Sequence, residues 1–332
     1  MKTRPAPGAA SAGEGGALFR FPLVRLGAAA AEMLGTAARP FRGRVLAVFR
    51  RSFYLEGEGE GGGLACLGPP SIGAGPLNAI CDLPEGIDWE ASGLAAGAPA
   101  HGEGECIRVG GRFLFSLEGV EDWRPDPLPA GWDASGLARG LAALAARARR
   151  EAPAEGLGRM VPALAAGEAP EAAGGEAPLL ARAAPAAALL MGWLAPAMAA
   201  GESGEALPLP PTWAAGLIGL GPGLTPSGDD FVGGALIALR ALGFGTAADR
   251  LAAWALSIAG VGTGRISRAH LACAARGEGA AALHETLAAL LGPHPDAALA
   301  APLRNLDAIG HTSGWDALAG AAAVLALRAR RS

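Results

Sequence analysis

The stretch Gly219-Leu220-Gly221-Pro222-Gly223-Leu224-Thr225-Pro226-Ser227-Gly228-Asp229-Asp230 sets four glycines, two prolines, two hydroxyls and two adjacent carboxylates directly ahead of an apolar run. Glycine and proline stop regular structure before residue 227, and the apolar residues that follow have no strand alternation, so the segment reads as a built loop entering a helix. A reduced copy lies 86 residues later. There Ser313-Gly314-Trp315-Asp316-Ala317-Leu318-Ala319-Gly320 repeats the Ser, the Gly, the second acid and the closing Gly of Ser227 to Gly234. Two helices of one domain therefore begin with the same Ser-Gly-x-Asp start.

Outward from these starts the texture is helical from about residue 131 to the end. Leu137, Leu141 and Leu144 recur at helical spacing, with arginines gathered at the end of that run where they suit the helix dipole. Further helices are expected at about 158–166, 177–200, 228–242, 246–260, 267–275, 279–291, 297–308 and 314–330. Between about 41 and 130 the texture differs: Val45 to Phe49, Leu64 to Leu67, Ile107 to Val109 and Phe113 to Leu117 are short apolar runs bounded by Gly, Pro or Asp, as strands joined by turns are. Gly110-Gly111 predicts a tight hairpin, and Gly57 to Gly63 a solvated hairpin tip. Residues 1–40 read as a partly disordered start followed by one Ala-rich helix over Leu23 to Met33. The expected fold class is α+β, a β-rich domain over 41–130 followed by a larger all-α domain over 131–332.

Composition narrows the function. The 332 residues carry 27 Lys and Arg against 31 Asp and Glu, a net charge of −4, with no basic patch interleaved with aromatics, so nucleic acid is not an expected partner. Cys66, Cys81, Cys106 and Cys273 show no C-x-x-C spacing and no cleavable apolar leader opens the sequence, which points to a reduced, cytoplasmic protein. Ala183 to Gly201 is long and uncharged enough to span a bilayer, but it is mostly alanine and carries Pro185 and Pro196, so no membrane association is expected. Ala-rich helices with few charges favour an oligomer.

The chemistry of the two starts can be read in three ways. Ser227 with Asp230, and Ser313 with Asp316, have the spacing of capping boxes, and Gly234 and Gly320 lie two turns up, where a missing side chain lets another helix approach. Gly219, Gly221 and Gly223 also allow the backbone to turn its amides toward one point, an anion nest completed by Thr225, Ser227 and Gly228. Asp229 and Asp230 oppose an anion there. A bound phosphate would then need Mg²⁺ held by Asp229, Asp230 or Asp316, or arginines such as Arg265 and Arg268 beside Ser267; otherwise the acids bind an uncharged or amide-bearing ligand directly. His311 and Thr312 stand before the second start, with flexible Gly310 and Gly314 around Ser313, and imidazole can move a proton near neutral pH. Nucleophilic-serine elbows, P-loops and zinc spacings are absent.

The motifs Gly219 to Asp230, Arg265-Ile266-Ser267 and Gly310-His311-Thr312-Ser313-Gly314-Trp315-Asp316 resemble those of the AllH family. Gly43 to Arg51 and Gly75 to Ile80 resemble its opening landmarks. The resemblance implies a subunit of oxamate carbamoyltransferase, which in anaerobic allantoin and purine breakdown converts oxalurate and phosphate into oxamate and carbamoyl phosphate, in company with other subunits. It also implies a site that stabilises a tetrahedral intermediate by oriented donors. The amides of 221–228, Thr225, Ser227 and an arginine would supply those donors, His311 a proton, and Ser227, Asp230 and His311 the catalytic groups. No cofactor is implied beyond Mg²⁺ at Asp229 and Asp230. Two alternatives stay open: a noncatalytic ligand-binding or scaffolding subunit, and a Mg²⁺-dependent enzyme acting on a small carboxylate or phosphate.

Overall fold

The computed structural model describes residues 18–36, 39–59, 62–83, 86–170, 178–203 and 207–331. The chain divides into two compact units, Met1–Arg124 and Pro125–Ser332.

The first unit is a barrel. Its elements are β1 (Phe19–Gly27), α1 (Ala28–Leu34), β2 (Gly35–Thr36), β3 (Arg39–Pro40), β4 (Arg42–Val48), β5 (Phe53–Gly57), β6 (Leu64–Gly68), β7 (Asn78–Cys81), β8 (Pro99–Glu103), β9 (Cys106–Val109), β10 (Phe113–Ser116) and β11 (Glu121–Trp123). The strands run β10-β9-β8-β4-β5-β6-β7-β1, and a parallel pairing of β1 with β10, Phe19 opposite Phe113, closes the ring of eight; β11 extends from β1. Closure removes the exposed edges that an open sheet would leave. Inside lie Leu23, Leu55, Leu67 and Ile107 around an aromatic group in which Trp89 meets Phe53 edge-on at 4.8 Å.

The helix predicted over Leu23 to Met33 is corrected here, because Leu23 to Gly27 belongs to β1 and helix begins only at Ala28. The register of β1 on β7 slips between Leu23 and Arg25, and the buried side chains of this strand are Leu23 and Leu26. A bulge that shifts the strand's phase leaves apolar residues three apart, which is the spacing of a helix. The predicted runs at 45, 64, 107 and 113 are β4, β6, β9 and β10. At the β9–β10 turn Gly110 and Gly111 both take positive φ, 58° and 72°, as the predicted hairpin requires. The tip between β5 and β6 includes residues 60–61, which lie outside the described residues.

The second unit is helical: α2 (Ala134–Glu151), α3 (Val161–Ala165), α4 (Pro178–Ser203), α5 (Ser227–Ala241), α6 (Gly245–Gly262), α7 (Arg265–Ala275), α8 (Ala281–Leu291), α9 (Pro295–Ala298), α10 (Ala300–Asp307) and α11 (Ser313–Ala329). Asp133 caps α2 by accepting the Gly136 amide at 2.6 Å. The apolar helix α4 is long enough to cross a membrane by length and composition, and it contributes Ala183, Ala187, Leu190, Leu194 and Met198 to the core of this unit. At the centre stand α5 and α11, whose residues from Phe231 to Leu239 and from Leu318 to Ala326 are buried. A helix apolar on all sides belongs inside a core.

Candidate functional site at two paired helix starts

Glycine decides how closely α5 and α11 approach. A methyl group on Gly234 would fall onto the carbonyl oxygen of Ala317, and one on Gly320 onto that of Phe231. These contacts are the same contact with the two copies exchanged. Gly228 and Gly314 repeat the theme, backing onto the carbonyls of Leu217 and Leu306. The reciprocal Gly234 and Gly320 contacts, above a 2.9 Å approach of Thr225 Oγ1 to Ser313 Oγ at the starts, set α5 and α11 side by side in one direction with their N-termini adjacent. Asp229, Asp230 and Asp316, in the first turns, offset the positive ends of two neighbouring helix dipoles.

The capping-box reading is corrected by this arrangement. Ser227 and Ser313 are the first helical residues, not the caps, and neither helix start is held by a side-chain cap. Their hydroxyls instead cross over: Ser227 is hydrogen-bonded to Asp316, and Ser313 to Asp230. Thr225 joins them, its Oγ1 at 2.9 Å from Ser313 Oγ and its side chain also bonded to Asp230. Asp316 further accepts the Leu157 amide at Oδ1, 2.5 Å, and the Thr312 hydroxyl at Oδ2, 2.7 Å. Asp230 differs. The residue as a whole keeps partial exposure, but its Oδ2 is sealed from solvent and has no hydrogen-bond partner among the described residues.

Asp229 faces a different set of groups. Its Oδ1 accepts the Gly219 amide at 2.8 Å, and its Oδ2 accepts the hydroxyls of Thr263 at 2.5 Å and Ser267 at 2.6 Å. It pins the glycine loop to the α6–α7 junction. Gly219, Gly221 and Gly223 have φ of 74°, 118° and 95°, the conformation expected of the loop. Two amides of the expected nest are engaged within the protein, however, since Gly219 donates to Asp229 and Gly228 donates to the Leu220 carbonyl at 2.9 Å.

The structure therefore gathers Thr225, Ser227, Asp230, Thr312, Ser313 and Asp316 into one cluster and places Asp229 with Ser267 in another. Gly221 lies against Ser227, and Gly223 is open. His311 is exposed and pairs with Glu155 at 3.4 Å, while still acting electrostatically on Asp316. Arg265 is exposed at the start of α7, and Arg268 donates to the Gly260 carbonyl. Trp315 is buried and donates from its indole to Asp307 at 2.9 Å, which makes it a packing residue. Among the described residues no group of three His, Cys, Asp or Glu is disposed to hold a metal ion, and Asp229 already accepts three hydrogen bonds within the protein.

Sequence reading misses the turn before Leu157. That turn depends on Gly156, at φ 76°, where any side chain would collide with Asp316 and Thr312. A lone Glu-Gly-Leu between helices gives no sign of this, because its partner is far along the chain.

Burial drives the Asp230 carboxyl well above the ordinary aspartate range, the Ser313 and Thr225 bonds oppose this, and the charges of Asp316 and Asp229 add to it. Asp316 is raised for the same leading reason, against the pull of Leu157, Thr312, Ser227 and His311. An acid raised on folding holds more protons in the folded than in the unfolded chain. Stability is therefore expected to fall as pH rises from the unfolded value near about 4 toward the raised folded values, with a slope approaching about 1.4 kcal/mol per pH unit for each such acid. Asp230→Asn should remove one share of that slope, measured as the difference between the unfolding free energies of wild type and variant across pH. Parallel profiles would show that Asp230 does not titrate this way.

Residues 217–325 match the family model described as oxamate carbamoyltransferase subunit AllH. The match lies within the helical unit and covers 109 of the 332 residues. No curated protein and no solved structure matches the chain. The matched segment runs from Leu217, whose carbonyl backs Gly228, into α11, and so contains both Ser-Gly-x-Asp starts. It includes neither the barrel landmarks at 43–51 and 75–80 nor the Leu157 turn.

Proposed function

We propose that this chain is a cytoplasmic subunit of a carbamoyltransferase that acts on oxamate or oxalurate and carbamoyl phosphate in allantoin and purine catabolism, working in an oligomer with other subunits. The family description supplies the reaction and the word subunit. The observation that carries the location is the joint cluster of Thr225, Ser227, Thr312 and Ser313 hydroxyls with the incompletely paired Asp230 at two adjacent helix starts.

Carbamoyl transfer joins an amide nitrogen to the carbamoyl carbon, through a tetrahedral intermediate whose oxygen becomes negative before phosphate leaves. Oriented hydroxyls and the positive ends of two helices suit that oxygen. Asp230 suits the amide nitrogen, and a carboxyl held near its protonated form can exchange a proton with it. A phosphate dianion is disfavoured beside three acids, so its cation must come from outside the cluster, from Arg265, Arg268 or a partner subunit. The engaged oxygens of Asp229 support this reading over a Mg²⁺ site.

Calorimetric titration of the purified chain with oxamate and with carbamoyl phosphate tests the location. Wild type is expected to bind at least one of them, and Thr225→Val with Ser313→Ala to lose about tenfold or more in affinity, as when hydrogen bonds worth about 1.4 kcal/mol are removed. Undiminished binding by a folded double variant would move the site elsewhere.

A further inference from the structure

The glycine contacts and the Ser–Asp crossings exchange between the two copies, and the two acids they share differ in how their oxygens are engaged. At Asp316 both carboxylate oxygens are engaged, Oδ1 by the Leu157 N–H that the Gly156 turn delivers and Oδ2 by Thr312, with Ser227 crossing over from α5. At Asp230, Ser313 crosses over in the same way and Thr225 supports it, yet no backbone N–H arrives and Oδ2 is left buried without a partner among the described residues. Buried polar atoms in native proteins are almost always paired, so an orphan that its own symmetry mate shows how to satisfy calls for an explanation.

We propose that Asp230 Oδ2 accepts an N–H from the substrate, a primary amide or carbamoyl nitrogen taking the place that the Leu157 N–H takes at Asp316. The inference rests on the carbamoyltransferase reading for the identity of the amide, and it deepens that reading by assigning Asp230 as the group that distinguishes –NH₂ from other substituents. The chemistry favours this over an anion. A carboxylate or phosphate at Oδ2 would stand within reach of the Asp316 and Asp229 charges, which disfavour a further negative group there. An N–H completes the acid without adding charge. The Thr225 and Ser313 hydroxyls, which can each donate or accept, fix the carboxyl in either protonation state.

Two pairs of probes differ only at this group: oxamate against oxalate, and carbamoyl phosphate against acetyl phosphate. Titration calorimetry on the full chain is expected to show a preference of about 100-fold for the amide member of at least one pair, since a site built to bond an N–H strongly rejects an analogue without it. In Asp230→Ala that preference should shrink to within a few-fold through loss of amide affinity, while affinity for the other member holds or rises. Asp230→Asn should retain it, because its side-chain carbonyl can face the ligand while its amide faces the hydroxyls. Should the alanine variant fail to fold, Asp230→Val, of similar volume and without an acceptor, is measured in its place with the same loss of preference expected. Equal binding within both pairs, or equal weakening of both members in Asp230→Ala, would overturn the assignment and leave the carbamoyltransferase reading standing. Binding of none of the four would overturn that reading and the assignment with it.

Discussion

Gly234→Ala and Gly320→Ala are each expected to lower the stability of the helical unit by about 3 kcal/mol, at the upper end of the usual penalty for overpacking. Each added methyl meets a backbone carbonyl of the facing helix, Ala317 or Phe231, which cannot rotate away as a side-chain tip can. Relief requires α5 and α11 to move apart, and that separation would loosen the Ser227–Asp316 and Ser313–Asp230 bonds at the helix starts. Because one separation accommodates both methyls, the double variant should be less destabilised than the two single effects combined, by about 1 kcal/mol or more. Denaturant unfolding followed by helical circular dichroism reports this unit, since the barrel contributes little helix. A change of less than about 0.5 kcal/mol in either single variant, the range of ordinary surface substitutions, would show that the helices do not approach this closely.

Asp229→Ala should cost a similar amount, about 3 kcal/mol, because it strands three donors at once: the Gly219 amide and the Thr263 and Ser267 hydroxyls. Ser267→Ala, which leaves two of the three bonds in place, should cost only about 1 kcal/mol. The loss of the Asp229 carboxylate should also free the Gly219–Pro226 loop from the α6–α7 junction, so the Gly219 amide should lose hydrogen-exchange protection before the interior of α5 does. Chelator should change neither quantity. An Asp229→Ala variant as stable as wild type, with Gly219 still protected, would show that Asp229 does not anchor the loop and would return it to the ligand-binding candidates.

The capping-box pattern shows how far local reading reaches. Ser and Asp three residues apart can satisfy one another within a single helix start, and nothing in the spacing tells whether they do. In this fold the second copy lies beside the first, and each Ser reaches the other copy's Asp. The glycines were more legible: positive φ at Gly219, Gly221 and Gly223, and close contact at Gly234 and Gly320, follow from the absence of a side chain wherever it occurs. Trp315 could equally stack on a ligand or pack inside, and the partner that settled it, Asp307, sits on the preceding helix.

The sequence by itself determined the local terms of this protein: a strand-forming texture followed by a helical one, the turn at Gly110-Gly111, the loop before Ser227 and the doubled helix start. These depend on backbone preference and on the period of apolar residues, which act over a few positions. Only the tertiary structure decided what is distant in the chain: the β1–β10 closure of the barrel, the crossing of the two Ser–Asp pairs, the Leu157 amide brought to Asp316 and the buried Oδ2 of Asp230 that no such amide reaches. Periodicity specifies that a face will be buried but not which element covers it, and the partner of a buried acid is a property of the covering element.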